Sequence, residues 1–209
     1  MGKITALIPQ KKNSARMNLY IDDKFILGLD LETVLAEKLD VGQEIFPNQL
    51  ENLFEISGRK KILDKVFKFL SFRPRTKKEV IDFLSRKKVD EEESKKIVEE
   101  LEKDKFLDDW EFTRWWIEQR NILRPRSYRA LLQELRQKGI SQELIAQIKE
   151  SNLVNSDKQT AEKLLKKKLS IWQKLPPQAV KEKITKYLMR QGFSWEVIKS
   201  AVDEISGKE

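Results

Sequence analysis

The chain has 209 residues, of which 42 are lysine or arginine and 34 are aspartate or glutamate, which gives a formal net charge of +8. It contains no cysteine or histidine, so disulfides, zinc sites built from these residues and catalytic dyads or triads that need them are excluded. No apolar run is long enough to span a membrane, and the N-terminus lacks an apolar secretory segment. These properties favour a cytoplasmic protein whose partner is nucleic acid or an acidic protein surface.

The positive charge lies beyond the first 57 residues. That segment carries six basic and nine acidic residues, whereas the rest of the chain carries 36 basic and 25 acidic residues. Because the apolar residues beyond it recur at helical spacing, the basic surface is predicted to belong to a helical part of the protein.

The N-terminal segment is predicted to form a small sheet followed by a helix. Strands are predicted at Lys3–Pro9, Arg16–Ile21 and Lys24–Leu29, with Asp22–Asp23 as a two-residue turn between the last two. Asp30 is predicted to cap the helix that follows. The side chains expected to face inward from this helix are Leu31, Val34, Leu35 and Leu39.

The next stretch is predicted to contain a helix, a break and the first helix of a repeated unit. Pro47 suits the first turn of a helix, and Gly58 is predicted to interrupt that helix. The segment Arg59–Phe72 is then predicted to form the first helix of repeat 1, because its apolar residues recur at helical spacing.

Thr76 and Asp90 are predicted to begin the second and third helices of that repeat. Thr76 and Glu79 form a capping-box pattern. Asp90 is followed by Glu91–Glu93 in the first helical turn, where the helix dipole favours negative charge. The dipole accounts for these carboxylates, so no metal site is predicted there.

Residues 106–140 contain the next two predicted helices. Asp108 caps the first, with Glu111 completing a capping-box pattern, and the second begins near Ser127 and ends before Gly139. At about 100° per residue, the core arc of the first helix comprises Phe112, Trp115, Trp116, Gln119, Ile122 and Leu123.

The second of these helices presents a basic face opposite its apolar stripe. The apolar stripe comprises Tyr128, Leu131, Leu132 and Leu135. The basic face comprises Arg126, Arg129, Gln133 and Arg136, spaced i, i+3, i+7 and i+10. Its lack of compensating glutamates at i±4 favours contact with a polyanion or an acidic protein surface. A charged face that is only solvated is the alternative, and it stays open.

The third repeat carries a run of three lysines. Its first predicted helix contains Lys166–Lys168 and ends at Pro176–Pro177, because proline cannot continue a helix. Helices are then predicted at Gln178–Gln191 and Trp195–Ile205. The three lysines are predicted either to contact phosphate or to form a solvated face, and the sequence favours neither.

Internal similarity predicts the overall architecture. The motif R-P-R-T at residues 73–76 recurs as R-P-R-S at 124–127, an offset of 51, and a weaker third copy follows at an offset of 53. Copies of this length predict a mainly α fold of tandem three-helix repeats in an elongated, curved array, with a small N-terminal β-hairpin or sheet unit. The predicted domains are residues 1–57, 58–105, 106–152 and 153–209.

Four segments together match the pattern of a known family. They are S-F-R-P-R-T-K-K-E-V at 71–80, K-F-L-D-D-W-E-F at 105–112, L-L-Q-E-L-R-Q-K-G-I-S at 131–141, and L-M-R-Q-G-F-S-W-E-V-I at 188–198. In their order and spacing they resemble the RecX family, regulators of the RecA recombinase, over nearly the whole chain. The N-terminal I-P-Q-K-K-N and L-Y-I-D-D-K-F resemble an extension found in longer members.

The resemblance implies a protein without enzymatic activity that acts in homologous recombination, DNA repair and the SOS response. It implies binding in the groove of the RecA–DNA filament and restraint of filament growth, ATP hydrolysis and strand exchange. The implied partners are the RecA filament and single- or double-stranded DNA, with no membrane, cofactor or metal, and the protein is expected to be a monomer. The chain departs from the family at Ala130, where a capping glutamate would sit, and at Trp115 and Trp116, where smaller residues are common.

Two alternatives follow from the residues alone. The first is a general DNA-binding helical-repeat protein that acts through phosphate contacts. The second is an enzyme, which could use only carboxylate or lysine chemistry because the chain has no histidine or cysteine, and no glycine-rich phosphate loop is present.

The candidate partner- or nucleic-acid-binding residues are basic, with one glutamine, and are drawn from all three repeats. No catalytic residue and no metal ligand is predicted. The candidates are Arg73, Arg75, Arg120, Arg124, Arg126, Arg129, Gln133, Arg136, Lys138, Lys166, Lys167 and Lys168.

Overall fold

The computed structural model describes residues 1–11, 13–151, 153–154, 156–172 and 174–206, without the side chains of Lys149 and Ser206. The described residues form ten helices and four strands, and the chain divides into two compact units, Met1–Phe69 and Leu70–Glu209. The predicted fold class is confirmed: the chain is mainly helical, with three tandem three-helix repeats and a small N-terminal sheet.

The first unit contains a four-stranded antiparallel sheet. Its strands are β1 (Gly2–Gln10), β2 (Asn13–Ile21), β3 (Lys24–Asp30) and β4 (Glu44–Ile45), in the order β3-β2-β1-β4. The three predicted strands are present and extend one to three residues further at their ends. The sequence gives no sign of β4, because a two-residue strand is too short to show an alternating pattern.

The turn between β2 and β3 is formed by two aspartates in the left-handed region. Asp22 has φ 48° and Asp23 has φ 62°, as a two-residue type I′ hairpin turn requires. The Lys3 amide donates to the Asp22 carboxylate at 3.0 Å, and the Asp23 amide donates to the Thr5 hydroxyl at 2.9 Å. These two hydrogen bonds with β1 stabilise the left-handed backbone conformation, which few residues other than glycine adopt.

Helix α1 (Leu31–Ala36) begins as predicted, but two of its predicted inward residues face solvent. Asp30 is the N-cap and accepts from the Thr33 amide at 2.9 Å. Leu31 is 44% exposed and Leu35 is 68% exposed, so the prediction that they are buried was wrong. A helix of six residues makes fewer than two turns, and only one narrow side of it can pack on the sheet.

Helix α2 (Pro47–Leu70) is continuous, so the predicted break at Gly58 was wrong. The preceding Ser57 is buried, and its hydroxyl donates to the Gly28 carbonyl oxygen of β3 at 3.0 Å. Gly58 lies on the exposed side, where an added Cβ would meet nothing within 4 Å. A single exposed glycine weakens a helix by about 1 kcal/mol relative to alanine, which is too little to end this one. The boundary between residues 57 and 58 lies inside α2 and stays a prediction.

All the secondary-structure elements described in the second unit are helices. Its helices are α3 (Lys77–Arg86), α4 (Glu91–Lys103), α5 (Asp109–Leu123), α6 (Tyr128–Gln137), α7 (Gln142–Glu150), α8 (Asp157–Trp172), α9 (Pro177–Arg190) and α10 (Trp195–Ser206). Local sequence determines most of the starts, because side-chain oxygens accept from amides of the first turn. The residues that accept in this way are Thr76, Asp90, Asp108, Ser127, Ser141, Ser156 and Ser194.

The core arc predicted for α5 is correct at its start and wrong at its end. Phe112 is fully buried and stacks on Trp116 with ring centroids 5.7 Å apart. Ile122 is 59% exposed and Leu123 is 70% exposed, because the last turn of α5 extends beyond the core of repeat 2. Helical periodicity predicts the direction in which a side chain points, but not where the neighbouring helices end.

Hydrogen bonds from the start of α3 join repeats 1 and 2. The Thr76 hydroxyl donates to the Lys138 carbonyl oxygen at 2.8 Å, and the Lys77 amide donates to a carboxylate oxygen of Asp109 at 2.9 Å. The start of α3, the second helix of repeat 1, thus donates hydrogen bonds to the C-terminal end of α6 and to a carboxylate in the first turn of α5.

Repeats 2 and 3 are joined in the same way. The Ser127 hydroxyl donates to the Gly192 carbonyl oxygen at 2.7 Å, and the Tyr128 amide donates to a carboxylate oxygen of Asp157 at 2.6 Å. The internal similarity found in the sequence therefore corresponds to a repeated mode of packing. Residues 152–153, the predicted boundary between these repeats, include Asn152, which lies outside the described residues.

Glycine is needed where one repeat packs on the C-terminal end of the middle helix of the next repeat. Gly139 has φ +88°, and a Cβ there would lie 2.6 Å from Lys78 Cβ. Gly192 has φ +86°, and a Cβ there would lie 2.9 Å from Ser127 Oγ. Lys88 in repeat 1 also has positive φ, 60°, and is exposed. Close approach as well as dihedral angle therefore demands glycine at the two junctions.

Helix α9 begins differently from α3 and α6. Its N-cap is Pro176, which makes no side-chain hydrogen bond, and Pro177 occupies the first helical position. The hydroxyl and the amide that donate at the two junctions are therefore both absent from the start of α9.

Candidate partner-binding surface

The outward face of α6 carries three of the predicted site residues together. Arg129, Gln133 and Arg136 are exposed, whereas Leu131 and Leu135 on the opposite side are buried. Neither arginine lies within 4 Å of a carboxylate among the residues that the structure describes. This part of the predicted basic face is therefore available to a partner.

Two other predicted cations belong to an ion-pair network within repeat 2. Arg120 Nε donates to Glu134 at 2.7 Å, and Arg126 Nε lies 3.4 Å from the other oxygen of the same carboxylate. The Trp116 indole N–H also donates to Glu134, and the Arg120 guanidinium lies 4.4 Å from the Trp116 ring centroid. The expectation of a basic face without compensating acids was wrong at Arg126, because Glu134, which is only 16% exposed, lies between it and Arg120.

A second network joins repeat 1 to repeat 2. Arg73 donates to both oxygens of Glu79, at 2.9 and 3.0 Å, and Lys138 Nζ donates to the same carboxylate. The Arg73 guanidinium also lies 6.0 Å from the Phe112 ring centroid and 5.8 Å from that of Trp115. The structure therefore places Arg73 and Lys138 at a repeat junction, where both are bound within the chain.

The charge state of Glu79 reflects this environment. Burial alone would raise the pKa of its carboxyl group, but the hydrogen bonds and positive charges of Arg73 and Lys138 outweigh it and lower the pKa from 4.5 to about 2. Glu79 is therefore ionised at neutral pH, and its negative charge offsets part of the positive charge of Arg73 and Lys138.

The remaining candidates in repeats 1 and 2 differ in exposure. Arg124, the C-cap of α5, is exposed and has no carboxylate within 4 Å among the described residues. Arg75 is half-buried, and both its burial and the nearby charge of Arg73 lower the pKa of its guanidinium group. Arg124 thus adds to the open cationic surface, whereas Arg75 lies partly inside repeat 1.

The three lysines of α8 lie in the third repeat. Lys166 and Lys167 are exposed, whereas Lys168 is half-buried with its Nζ 5.6 Å from the Tyr187 ring centroid. The predicted site residues thus lie on the outward face of α6 with Arg124, in the two ion-pair networks and on α8, with Arg75 partly inside repeat 1.

Sequence analysis missed the two glutamates that organise these networks. Glu79 was interpreted as a capping residue, and Glu134 lies between residues assigned to the basic face. A signal was nonetheless present: Glu79 and Glu134 are the single acidic residues of two basic segments, 71–81 and 124–138. Among the described residues there is no cluster of acidic side chains that could hold a metal ion, and no helix has the length and apolar content to cross a membrane.

Comparison with protein families assigns almost every part of the chain. The model of the regulatory protein RecX N-terminal domain matches residues 2–46. The models of the first, second and third RecX three-helix domains match residues 63–101, 108–148 and 156–202.

Individual relatives and solved structures agree with this assignment. Regulatory protein RecX of Bacillus licheniformis is 32% identical over 208 residues, covering 98% of this chain and 78% of that protein. The Clostridium tetani protein of the same name is 30% identical over 209 residues, covering 98% and 95%. A crystal structure of regulatory protein RecX has a TM-score of 0.68 at 22% identity, covering 95% of this chain and 98% of that one. The structure of RecX from Lactobacillus salivarius has a TM-score of 0.59 at 20% identity, covering 72% and 98%.

Proposed function

Because the chain belongs to the RecX family of regulatory proteins, we propose that it binds in the groove of the RecA–DNA filament and restrains filament growth, ATP hydrolysis and strand exchange. It acts by binding, without enzymatic chemistry of its own, as a monomer in the cytoplasm. The absence of cysteine suits that reducing compartment.

The observation that carries the proposal is the open basic surface of repeat 2. Arg124, Arg129 and Arg136 are exposed on a repeat held at both ends by hydrogen bonds and a glycine contact. A filament of protein and DNA presents phosphate and acidic groups, which attract cations and speed association. Cations on a rigid helix lose less freedom on binding than cations on a loop, so more of that attraction is retained.

The direct test is ATP hydrolysis by the cognate RecA on single-stranded DNA. The protein should lower the rate at ratios from substoichiometric to equal, and it should hydrolyse no nucleotide when RecA is absent. If the rate is unchanged while RecA and DNA are both shown to be active, the regulator proposal is wrong.

The basic surface is tested by charge reversal. Arg129→Glu combined with Arg136→Glu should keep the helical circular-dichroism signal, since exposed substitutions change stability by only about half a kcal/mol. The double variant should lose most of its binding to the filament. The matched control is Lys61→Glu with Lys65→Glu, which reverses two exposed charges on α2 in the first unit. Equal binding by both variants would show that the α6 face is only solvated.

A general DNA-binding protein acting through phosphates is the second candidate. The observation that favours it is the excess of basic over acidic residues beyond residue 57, 36 against 25. Phosphate contacts weaken steeply with salt, whereas a protein groove with apolar contacts weakens less. A salt titration of binding to the RecA filament, compared with bare DNA, therefore separates the two candidates.

A further inference from the structure

The third repeat contains one of the most basic stretches of the chain. Residues 163–190 contain nine basic residues and a single acidic residue, Glu182, so this stretch alone carries the net charge of +8 found for the whole chain. It spans most of α8 and all of α9. Residues 59–88, with 12 basic and three acidic residues, form a second basic stretch, so α8 and α9 are one of two parts of the chain that attract a polyanion.

The two helices form an open groove with cations and apolar groups on its walls. The groove has a volume of about 580 Å³ and is lined by Trp172 from the end of α8 and by Lys183, Lys186, Met189 and Arg190 from α9. This volume lies in the range of sites that hold small organic ligands. None of these five residues was identified as a candidate from the sequence.

The cations of the groove are available to a ligand. Lys183 and Arg190 have no carboxylate within 4 Å among the residues described, and both are exposed. Lys186 lies 3.8 Å from Glu182, but these side chains are 75% and 58% exposed, and such a pair contributes little. The three cations follow the spacing i, i+3, i+7, so they lie along about 10 Å of one helix face.

Apolar groups lie beside this row of charge. Met189 is 59% exposed, although it lines a groove whose other wall carries Trp172. Trp172 contacts Tyr187 edge to face, with centroids 6.0 Å apart and an interplanar angle of 82°. An acidic protein surface would need the cations alone, whereas an indole and a thioether among cations also suit the flat apolar face of a base.

We propose that this groove of the third repeat binds single-stranded nucleic acid, with Lys183, Lys186 and Arg190 contacting successive phosphates and Trp172 with Met189 contacting a base. The proposal deepens the function proposed above, since it identifies where the chain contacts the DNA of a filament. Duplex DNA keeps its base faces stacked inside the helix, so it can use only the cations of the groove.

The experiment measures binding of a fluorescein-labelled oligothymidylate by anisotropy over a range of salt concentrations, with RecA absent. Lys183→Gln with Arg190→Gln should reduce the slope of log affinity against log salt by about 1.4, since each single-strand phosphate contact contributes about 0.7. Lys61→Gln with Lys65→Gln, which removes two exposed charges from α2, is the control and should leave the slope unchanged.

Stacking is tested separately from charge. Trp172→Ala should weaken binding roughly five- to 150-fold, the usual effect of losing one stacked base, with the salt slope unchanged. Because Trp172 also packs on the repeat 3 core, Trp172→Phe and the exposed Met189→Ala serve as variants that keep the fold. Trp172→Phe should keep most of the parent's affinity for the oligothymidylate, and Met189→Ala should lower that affinity.

Three outcomes would overturn the proposal. The first is an unchanged salt slope for the Lys183 and Arg190 variant. The second is equal affinity of the parent for oligothymidylate and for a duplex of the same length, combined with no effect of Met189→Ala. The third is tighter binding to polyglutamate than to oligothymidylate, which would identify an acidic protein as the occupant. Because RecA is absent, none of these results depends on whether the chain regulates RecA.

Discussion

The two repeat junctions use the same hydrogen bonds but differ in charge. At both, a hydroxyl donates to a carbonyl oxygen at the C-terminal end of the middle helix of the next repeat, and an amide donates to an aspartate carboxylate. Among the described residues, the first junction alone contains a carboxylate paired with two cations: Glu79 binds Arg73 and Lys138. The residue 51 positions after Glu79 is Ala130, whose Cβ would lie 3.1 Å from a Cβ at Gly192.

This difference changes the role of an identical motif. Arg73 and Arg124 each begin an R-P-R sequence. Arg73 is bound to Glu79 and is only 25% exposed, whereas Arg124, with Ala130 where the glutamate would be, is exposed. A substitution one turn into the following helix thus decides whether the arginine stabilises a junction or remains open to a partner.

The largest effect is expected from removing the anion of the first junction. Glu79→Ala leaves Arg73 and Lys138 partly buried, close together and without a counter-charge. Breaking a pair of this kind should lower the free energy of unfolding by about 3 kcal/mol, measured by chemical denaturation. Glu99→Ala, an exposed change on α4, is the control and should have almost no effect. A loss below about 1 kcal/mol would show that the carboxylate of Glu79 contributes little to the stability of the first junction.

A smaller loss is expected from filling the close contact that both junctions share. Gly139→Ala places a Cβ in the left-handed region and 2.6 Å from Lys78 Cβ, so it should destabilise by about 2 kcal/mol. Gly58→Ala is the opposite case, an exposed helical glycine with open space around it, and it should stabilise by about 0.5–1 kcal/mol. Both are measured by thermal unfolding, and the same sign for the two would refute the steric explanation.

Acid should weaken the first junction by less than deletion of Glu79, because a protonated carboxyl group still forms hydrogen bonds. The pKa of Glu79 falls from 4.5 in the unfolded chain to about 2 in the folded one. Its contribution is therefore complete above pH 4.5 and is lost as pH falls towards 2. The stability difference between the parent and Glu79→Gln should shrink over that range. Asp30, whose pKa is also lowered to about 2, is present in both proteins and cancels from the difference.

The smallest effects compare the two arginines directly. Arg73→Ala removes one of two partners of Glu79 and should lower the free energy of unfolding by about 1 kcal/mol. Arg124→Ala should change it by less than about half a kcal/mol. Filament binding should show the reverse order, with Arg124→Ala the weaker binder. Equal binding losses would show that exposure does not distinguish the two copies of the motif.

Much of the fold could be predicted because its signals are local. Caps such as Thr76, Asp108 and Ser127 bind amides within three residues, so the sequence alone indicates the helix starts. The errors arise where distant parts of the chain decide the outcome. Leu35 and Leu123 are apolar and correctly phased, yet they are exposed because no neighbouring element reaches them.

The candidate surface was less predictable for the same reason. Arg129 and Arg136 were predicted to be exposed from periodicity, and the structure places them so. Lys138 binds Glu79, 59 residues away, and no local pattern contains that information. The cations of repeat 2 can therefore be identified from the sequence, but which of them are already bound within the chain cannot.

The two prolines at the start of α9 remove the hydrogen-bond donors through which each earlier repeat binds the next. Addition of a further unit after repeat 3 would require a hydroxyl at the N-cap of α9 and an N–H at its first position, and Pro176 and Pro177 supply neither. A unit placed after repeat 3 could not form these two hydrogen bonds with α9. In a relative with a fourth repeat we therefore expect a hydroxyl residue and a non-proline residue at the positions of Pro176 and Pro177.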